Sequence, residues 1–487
     1  MDKYNTKLHY HCDDWMNDPK PFFWNGEYHI FFQYKYPRHW GHIKSTDLLH
    51  WEELPVALVP GPEEVDAEGG CWTGCCIRAY DKFHIFYTGA GVGTRQTTCH
   101  AVSDDLITWK KDPDNPVIKS GPPYNYSEDS AWRDPAVWEH DGTWYMVQCA
   151  EIGSLKTATT GCIALMKSKD LVNWELMNPL HISDGMMMCE CPDIFKLDGK
   201  FVGLFGCNKA FSIISDEMFG KYRLNPNISY LDDGIFYAGK TLLDDNNRRI
   251  MWGFLFENCG FEHYVDRWKD FLSDRNWCNA LSFPRVLSLN EKSELASCLP
   301  EEFLSLRKKE TDWALGKNRG YWNKTGTNSV KGLPENDFAH ALFDNVKSDC
   351  FEITAKIKLN GAKKAGLLVR CNENLCNDVT GIYVCGQTNS VYIEDLLTGF
   401  EAPRTRMWDQ FYRSPSISVS MPVTGGTDKE VALRVIVDVS VIEVYINDKA
   451  CLTGRCYPED RESLFAGLFS VSGEAVFEDI HIWELGL

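Results

Sequence analysis

Three acidic residues in this 487-residue chain stand at matched distances from turn-forming glycines. Asp18 in WMNDP lies 8 residues before Gly26, Asp134 in WRDP lies 8 before Gly142, and Glu190 in CECPD lies 9 before Gly199. A lone Asp-Pro is ordinarily a turn former whose carboxylate bonds local backbone. Two at one offset, with an apolar-flanked Glu at a third, point instead to carboxylates gathered for a reaction. Glycoside cleavage uses such a set: one carboxylate attacks the anomeric carbon or activates water, and one protonated carboxyl assists the leaving oxygen. Like charges held close raise the pKa of one member, which keeps it protonated near neutrality.

The elements that must position these acids recur along the chain. A turn followed by an aromatic and apolar strand appears as NGEYHIFFQY at 25–34, DKFHIFYTG at 81–89, DGTWYMVQCA at 141–150, DGKFVGLFG at 198–206 and NNRRIMWGF at 246–254. Asn, Asp and Gly at each turn supply the positive φ of a tight hairpin. A second signature follows three of them: STDLLHW at 45–51, SDDLITW at 103–109 and SKDLVNW at 168–174. There Ser and Asp form a turn, while Leu and the tryptophans Trp51, Trp109 and Trp174 anchor it in the core. Markers at Gly26, Lys82, Gly142, Gly199 and Asn247 are spaced by 56, 60, 57 and 48 residues. A four-stranded antiparallel unit needs about 40–50 residues, so the spacing predicts five radial sheets, an all-β five-bladed propeller. The first strand of each blade lines the channel of a propeller, which would bring the three acids together at one end.

The hairpin repeat stops near residue 290. Residues 1–293 are expected to form the propeller, 294–336 a connector, and 337–487 a C-terminal β-sandwich of short alternating strands such as CFEITAKIKL and VALRVIVD.

Composition narrows the partners. Lys plus Arg total 50 against 69 Asp plus Glu, a formal charge of −19, which disfavours nucleic acid and anionic lipid. No run approaches the ~18 apolar residues of a membrane span, and the start MDKYNT lacks the features of a signal peptide. The 19 cysteines are odd in number and mostly embedded in apolar runs, without paired C-x-x-C spacing. A reducing cytoplasm is the expectation, with no metal site and no cofactor.

WMNDP, WRDP and ECPD, taken in order, resemble glycoside hydrolase family 32, which includes invertases, inulinases and fructan β-fructosidases. The resemblance extends through QY at 33–34, HWGHIKSTDLLHWEELPVAL at 39–58, FYAGKTL at 236–242, ALSFPR at 280–285 and LRVIVDVSVIEVYIND at 433–447, nearly the whole chain. It implies a five-bladed propeller followed by a β-sandwich. It also implies Asp18 as nucleophile, Glu190 as general acid/base and Asp134 as the stabiliser that holds fructosyl hydroxyls, in a retaining reaction. Arg133 is suited to orienting Glu190 or a sugar hydroxyl through its planar fork. Asn17, Gln33, Trp40, Trp72 and Thr73 match sugar-contacting positions; Asp232 or Asp233 and Glu257 fall in similar segments, with Asp233 and Glu257 counted among the substrate-binding candidates.

Four departures lie near the expected channel mouth. Asp18-Pro19 runs into Lys20-Pro21 rather than Asn-Gly, and the segment from Gln33 to Trp40 is short. Cys71-Trp72-Thr73-Gly74 replaces Phe-Ser-Gly-Ser, and 258–277 is long and aromatic. The first expectation is therefore a cytoplasmic β-fructosidase acting on a small carbohydrate, sucrose or short fructo-oligosaccharides. Lys35, Arg38, His39 and Lys44 could instead receive a phosphate, giving a sucrose-6-phosphate hydrolase. A fructosyltransferase or dianhydride-forming enzyme, favoured by the 258–277 loop, and a non-catalytic sugar-binding propeller are the other readings. The C-terminal sandwich is left open as a contact for the propeller or a homo-oligomer interface.

Overall fold

The computed structural model describes the chain except residues 1–2, 62–64, 92–95, 126–129, 155–157, 184, 225–229, 257–276, 377, 397–417, 424–425 and 428–429. The five turn signals each close a hairpin between the first and second strands of an antiparallel sheet of four or five strands. Paired left-handed residues make four of these turns: Asn25 and Gly26, Tyr80 and Asp81, Asp141 and Gly142, Asp198 and Gly199. Blade two does this without glycine, at a turn Asp tolerates through its short polar side chain.

The inner strands are Met16–Trp24, Gly70–Ala79, Trp132–His140, Glu190–Leu197 and Phe236–Leu243, and each is followed outward by consecutive strands of its own blade. Each inner strand lies beside those of the flanking blades, and the first lies beside the fifth, so the ring closes. Aromatic and aliphatic side chains fill the seams between blades; Phe31, Trp40 and Leu58 of blade one meet Phe83, Ile85 and Tyr87 of blade two. Fully burying each such side chain is worth about 1.5–3 kcal/mol.

The Ser-Asp turns are identical devices. Asp47 Oδ1 accepts the amides of Leu49 and His50, Asp105 Oδ1 those of Ile107 and Thr108, and Asp170 Oδ1 those of Val172 and Asn173. Leu48, Leu106 and Leu171 are buried at positive φ, and Trp51, Trp109 and Trp174 pack half-buried against the same cores.

Beyond the propeller, two antiparallel sheets enclose an apolar core that includes Phe351, Ile353, Leu367, Ile382, Val435 and Leu468. The stretch expected to be a connector differs from that expectation. Leu295–Cys298 is the outer strand of blade five, and Leu315–Arg319, Tyr321–Gly326 and Ser329–Leu333 pair within the sandwich sheets. These strands are only four to six residues long and largely half-exposed, so apolar alternation is weak in them.

The two parts meet through buried polar groups. Asp438 accepts backbone amides from Lys7, Leu8 and His9 and the ring Nδ1 of His9 (2.8 Å). Glu443 faces His9 Nε2 (3.3 Å) and accepts the amide of Phe283 and the hydroxyl of Tyr445. Arg285 bonds Asp232 (3.0 Å), and Asp232 also accepts the amide of Thr453. The sandwich therefore contacts the propeller.

Candidate active site

All five inner strands carry the same irregularity at the same level. Asn17 opposes Gln33 and Lys20 opposes Phe31; Trp72 opposes Thr88 and Cys75 opposes Phe86; Arg133 opposes Cys149 and Ala136 opposes Val147. Glu190 and Asp193 oppose Gly206 and Leu204, while Tyr237 and Lys240 oppose Phe254 and Trp252. One extra residue is thus bulged out of every inner strand, which bends it and re-aims its side chains. The residues after the first pairing positions are Asp18, Thr73, Asp134, Cys191 and Ala238, and all but Thr73 have positive φ. This registration explains the offset of nine at Glu190: it stands one position before the strained residue, level with Asn17, Trp72, Arg133 and Tyr237.

Asp18 is held from one side. Its Oδ2 accepts the amide of Gln33 (2.7 Å) and the hydroxyl of Thr73 (2.5 Å), and Gln33 also bonds Thr73. Asp134 is buried; its amide donates to Thr88 Oγ1 and its Oδ2 accepts the amide of Cys191 (2.9 Å). Glu190 Oε1 accepts Arg133 Nη2 (2.7 Å) and its Oε2 accepts the hydroxyl of Tyr237 (2.5 Å). Arg133 also donates to Gln96 and places Nε 3.8 Å from Asp134 Oδ2, so one guanidinium spans two of the three acids.

Burial is the largest influence on the Asp18 carboxyl and raises its pKa, and the nearby Glu190 charge adds to the rise. Lys20 is the strongest opposing influence, followed by the Thr73 hydrogen bond and Arg38. Burial likewise pushes Asp134 up to about 6, with Asp18 and Glu190 reinforcing the shift and Arg133 and the Cys191 amide opposing it. Asp134 thus feels both other acids and Asp18 feels Glu190, as like charges sharing one site must.

Other expected site residues divide into three groups. Asn17 and Trp72 are half-buried at the level of Glu190; the Asn17 Oδ1 acceptor is unbonded among the described residues, and Arg38 lies 4.7 Å over the Trp72 ring. Gln33 and Thr73 are buried and hold Asp18. Trp40 departs from its expected sugar-contacting place: it is fully buried, its indole N–H bonds the Trp72 carbonyl, and its ring faces Lys20. A large indole in a blade seam gains more from complete burial than a channel wall would leave it. Asp233 is half-buried, and its carboxylate forms an ion pair with Lys209. Asp232 belongs to the propeller–sandwich seam. Glu257 and positions 258–276 of the aromatic loop lie outside the described residues.

The four cations considered for a phosphate do not form one cluster. Lys44 is ion-paired to Glu27 (2.8 Å) at the far end of its strand from His39, and Arg38 is buried against Trp72. Tyr237 and Lys20 escaped notice as site residues. The signal for Tyr237 was FYAGK, whose Tyr stands at the same bulge position as Glu190.

A five-bladed propeller with a C-terminal sandwich and acids on three inner-strand bulges is the architecture of a carbohydrate-cleaving hydrolase. The sequence model described as "Glycosyl hydrolases family 32 N-terminal domain" matches residues 9–298, and "Glycosyl hydrolases family 32 C terminal" matches 306–484. The chain belongs to glycosyl hydrolase family 32 and is a glycoside hydrolase. It is 28% identical to a sucrose-6-phosphate hydrolase of Zymomonas mobilis, covering 97% of this chain and 90% of that protein. It is also 28% identical to fructan 1-exohydrolase w2 of Triticum aestivum, covering 93% and 83% of the two chains. The fold is similar to the crystal structure of fructan 1-exohydrolase IIa from Cichorium intybus, with a TM-score of 0.77, 23% identity and coverage of 99% and 98%. Among the described residues no helix is long and apolar enough to cross a membrane.

Proposed function

We propose that the propeller releases terminal β-D-fructofuranosyl units from sucrose or short fructo-oligosaccharides by a retaining mechanism. The observation that carries this reading is the one-sided grip on Asp18. Thr73 and Gln33 fix Oδ2, while Oδ1 has no hydrogen bond among the described residues and is free to attack. In the first half-reaction Oδ1 bonds the anomeric carbon as its bond to the leaving oxygen breaks, and Glu190 gives that oxygen a proton. In the second, Glu190 takes a proton from water, the water oxygen bonds the anomeric carbon, and the ester to Asp18 breaks. The Tyr237 hydroxyl suits both halves, since it can donate to the ionised carboxylate and accept from the protonated one. Asp134, placed by the Cys191 amide, accepts from ring hydroxyls, and the Asn17 carbonyl offers a further acceptor.

Among the described residues seventeen cysteines carry free thiols, which supports a reducing compartment; the disulfide-bonded Cys278 stands against it. Lys44, paired with Glu27, stands away from His39, so a phosphate site built on all four cations gains no support, and the phosphorylated sugar is the second reading.

The test is product analysis of purified protein on sucrose, sucrose 6-phosphate, inulobiose and levanbiose, alongside Asp18→Ala and Glu190→Ala. Free fructose from an unphosphorylated sugar is expected, with kcat lowered by several orders of magnitude in both folded variants. Near-parental activity in either variant would overturn the roles. Oligomeric or anhydride products would replace hydrolysis with transfer.

A further inference from the structure

Two residues beyond each strained position, the inner strands supply a third level: Lys20, Cys75, Ala136, Asp193 and Lys240. Most polar groups in it are satisfied locally. Asp193 Oδ2 accepts the amide and hydroxyl of Thr241 (2.8 and 2.7 Å), and Lys240 donates to the Pro192 carbonyl (2.8 Å). Lys20 is the exception. It is 1% exposed, its Nζ has no hydrogen-bond partner among the described residues, and it lies over the face of Trp40, 4.4 Å from the ring centre. A buried, unbonded ammonium is costly, and a cation–π contact offsets only part of that cost. The charged and titratable groups facing it are Asp18, Asp134, the neutral thiol of Cys191 and Lys240.

We propose that Lys20 is a positioning residue for the nucleophile: its ammonium, sealed beneath the acids, keeps Asp18 ionised and therefore able to attack. This rests on the assignment of Asp18 above. Without such a charge, desolvation and the neighbouring Glu190 both favour the neutral carboxyl, which is no nucleophile. Thr73, Gln33 and Arg38 assist, but Lys20 is the strongest single opposition to protonation of Asp18. Burial in turn brings Lys20 down to about 7. The position is one where the chain departs from the family-like Asp-Pro-Asn-Gly, so the device belongs to this sequence rather than to the shared motif.

The experiment compares pH profiles of kcat/KM for the parent, Lys20→Met, Lys20→Arg and Asp18→Ala on whichever of the four sugars the parent cleaves fastest. In Lys20→Met the acid limb should move up by about one pH unit, which is about a tenfold loss below the limb. Activity should approach the parental value at alkaline pH, KM should change little, and Lys20→Arg should restore the limb. A folded Lys20→Met with an unmoved limb overturns the proposal, provided Asp18→Ala is inactive; an active Asp18→Ala sinks the nucleophile assignment itself. Should Lys20→Met not fold, NMR titration of Nζ-labelled lysine in the parent and Asp18→Asn decides, because coupling between two sites is reciprocal. Lys20 should lose its proton at lower pH in Asp18→Asn, and an unchanged midpoint overturns the proposal.

Discussion

Asp134 shows how much of the site's behaviour is set by single contacts. Its carboxyl is pushed up to about 6 from the ordinary 3.8, so the unfolded chain releases this proton first as pH rises. Stability contributed by the protonated form is therefore lost between about pH 4 and pH 6. Asp134→Asn keeps an acceptor for the Cys191 amide and removes the ionisation. It should be more stable than the parent at pH 7, by about 3 kcal/mol, with the difference vanishing near pH 4; denaturant melts at both pH values check this. At this scale the acids were legible because their offsets from a turn repeat. Tyr237 and Lys20 were not, since an aromatic in an apolar run and a lysine after a proline look like strand and surface until a partner strand fixes their level.

The shared bulge is the element that converts five ordinary meanders into a site. It needs room at its tightest point. A Cβ at Gly74 would collide with the Phe86 carbonyl oxygen and the Tyr87 Cα of the next strand, so Gly74→Ala must displace the segment that carries Thr73. The expected result is a loss of roughly 1–3 kcal/mol in stability and a fall in kcat larger than any change in KM, read by melts and steady-state kinetics. The hairpins were visible from Asn, Asp and Gly and from alternation. The bulge was not, because a one-residue slip in pairing leaves no mark on composition. The short strands within 294–336 escaped for a related reason: half-exposed strands keep too little apolar alternation to be recognised.

For the molecule as a whole, the decisive contacts join distant parts of the chain. His9 lies between Asp438 and Glu443, fully buried, with hydrogen bonds to both holding its pKa above the ordinary 6.5 against the opposing effect of burial. A base raised on folding contributes stability that is complete below 6.5 and lost as pH rises through its folded value. His9→Gln should cost about 3–5 kcal/mol near pH 6, because two buried carboxylates lose their cation. It should also flatten the alkaline loss of stability, as denaturant melts from pH 6 to pH 9 would record. A pairing across 434 residues could not be read from sequence, where VIEVYIND looked like one more strand.

The N-terminal run ties these scales together. The Leu281 amide donates to the Tyr10 carbonyl, Cys278 to Asp14 and Met16 to Cys278, so the first segment lies along blade five before entering blade one. Among the described residues every blade's sheet is built from its own stretch of chain, and the gap between last and first is crossed only by the isolated bridge of Trp15 with Cys278 and the hydrogen bonds beside it. The circle is thus five separate staves, and the sandwich, gripping His9 on one side and Phe283 and Arg285 on the other, is the hoop. A protein of this design cannot shed its tail as spare baggage, even though the tail contributes none of the three acids.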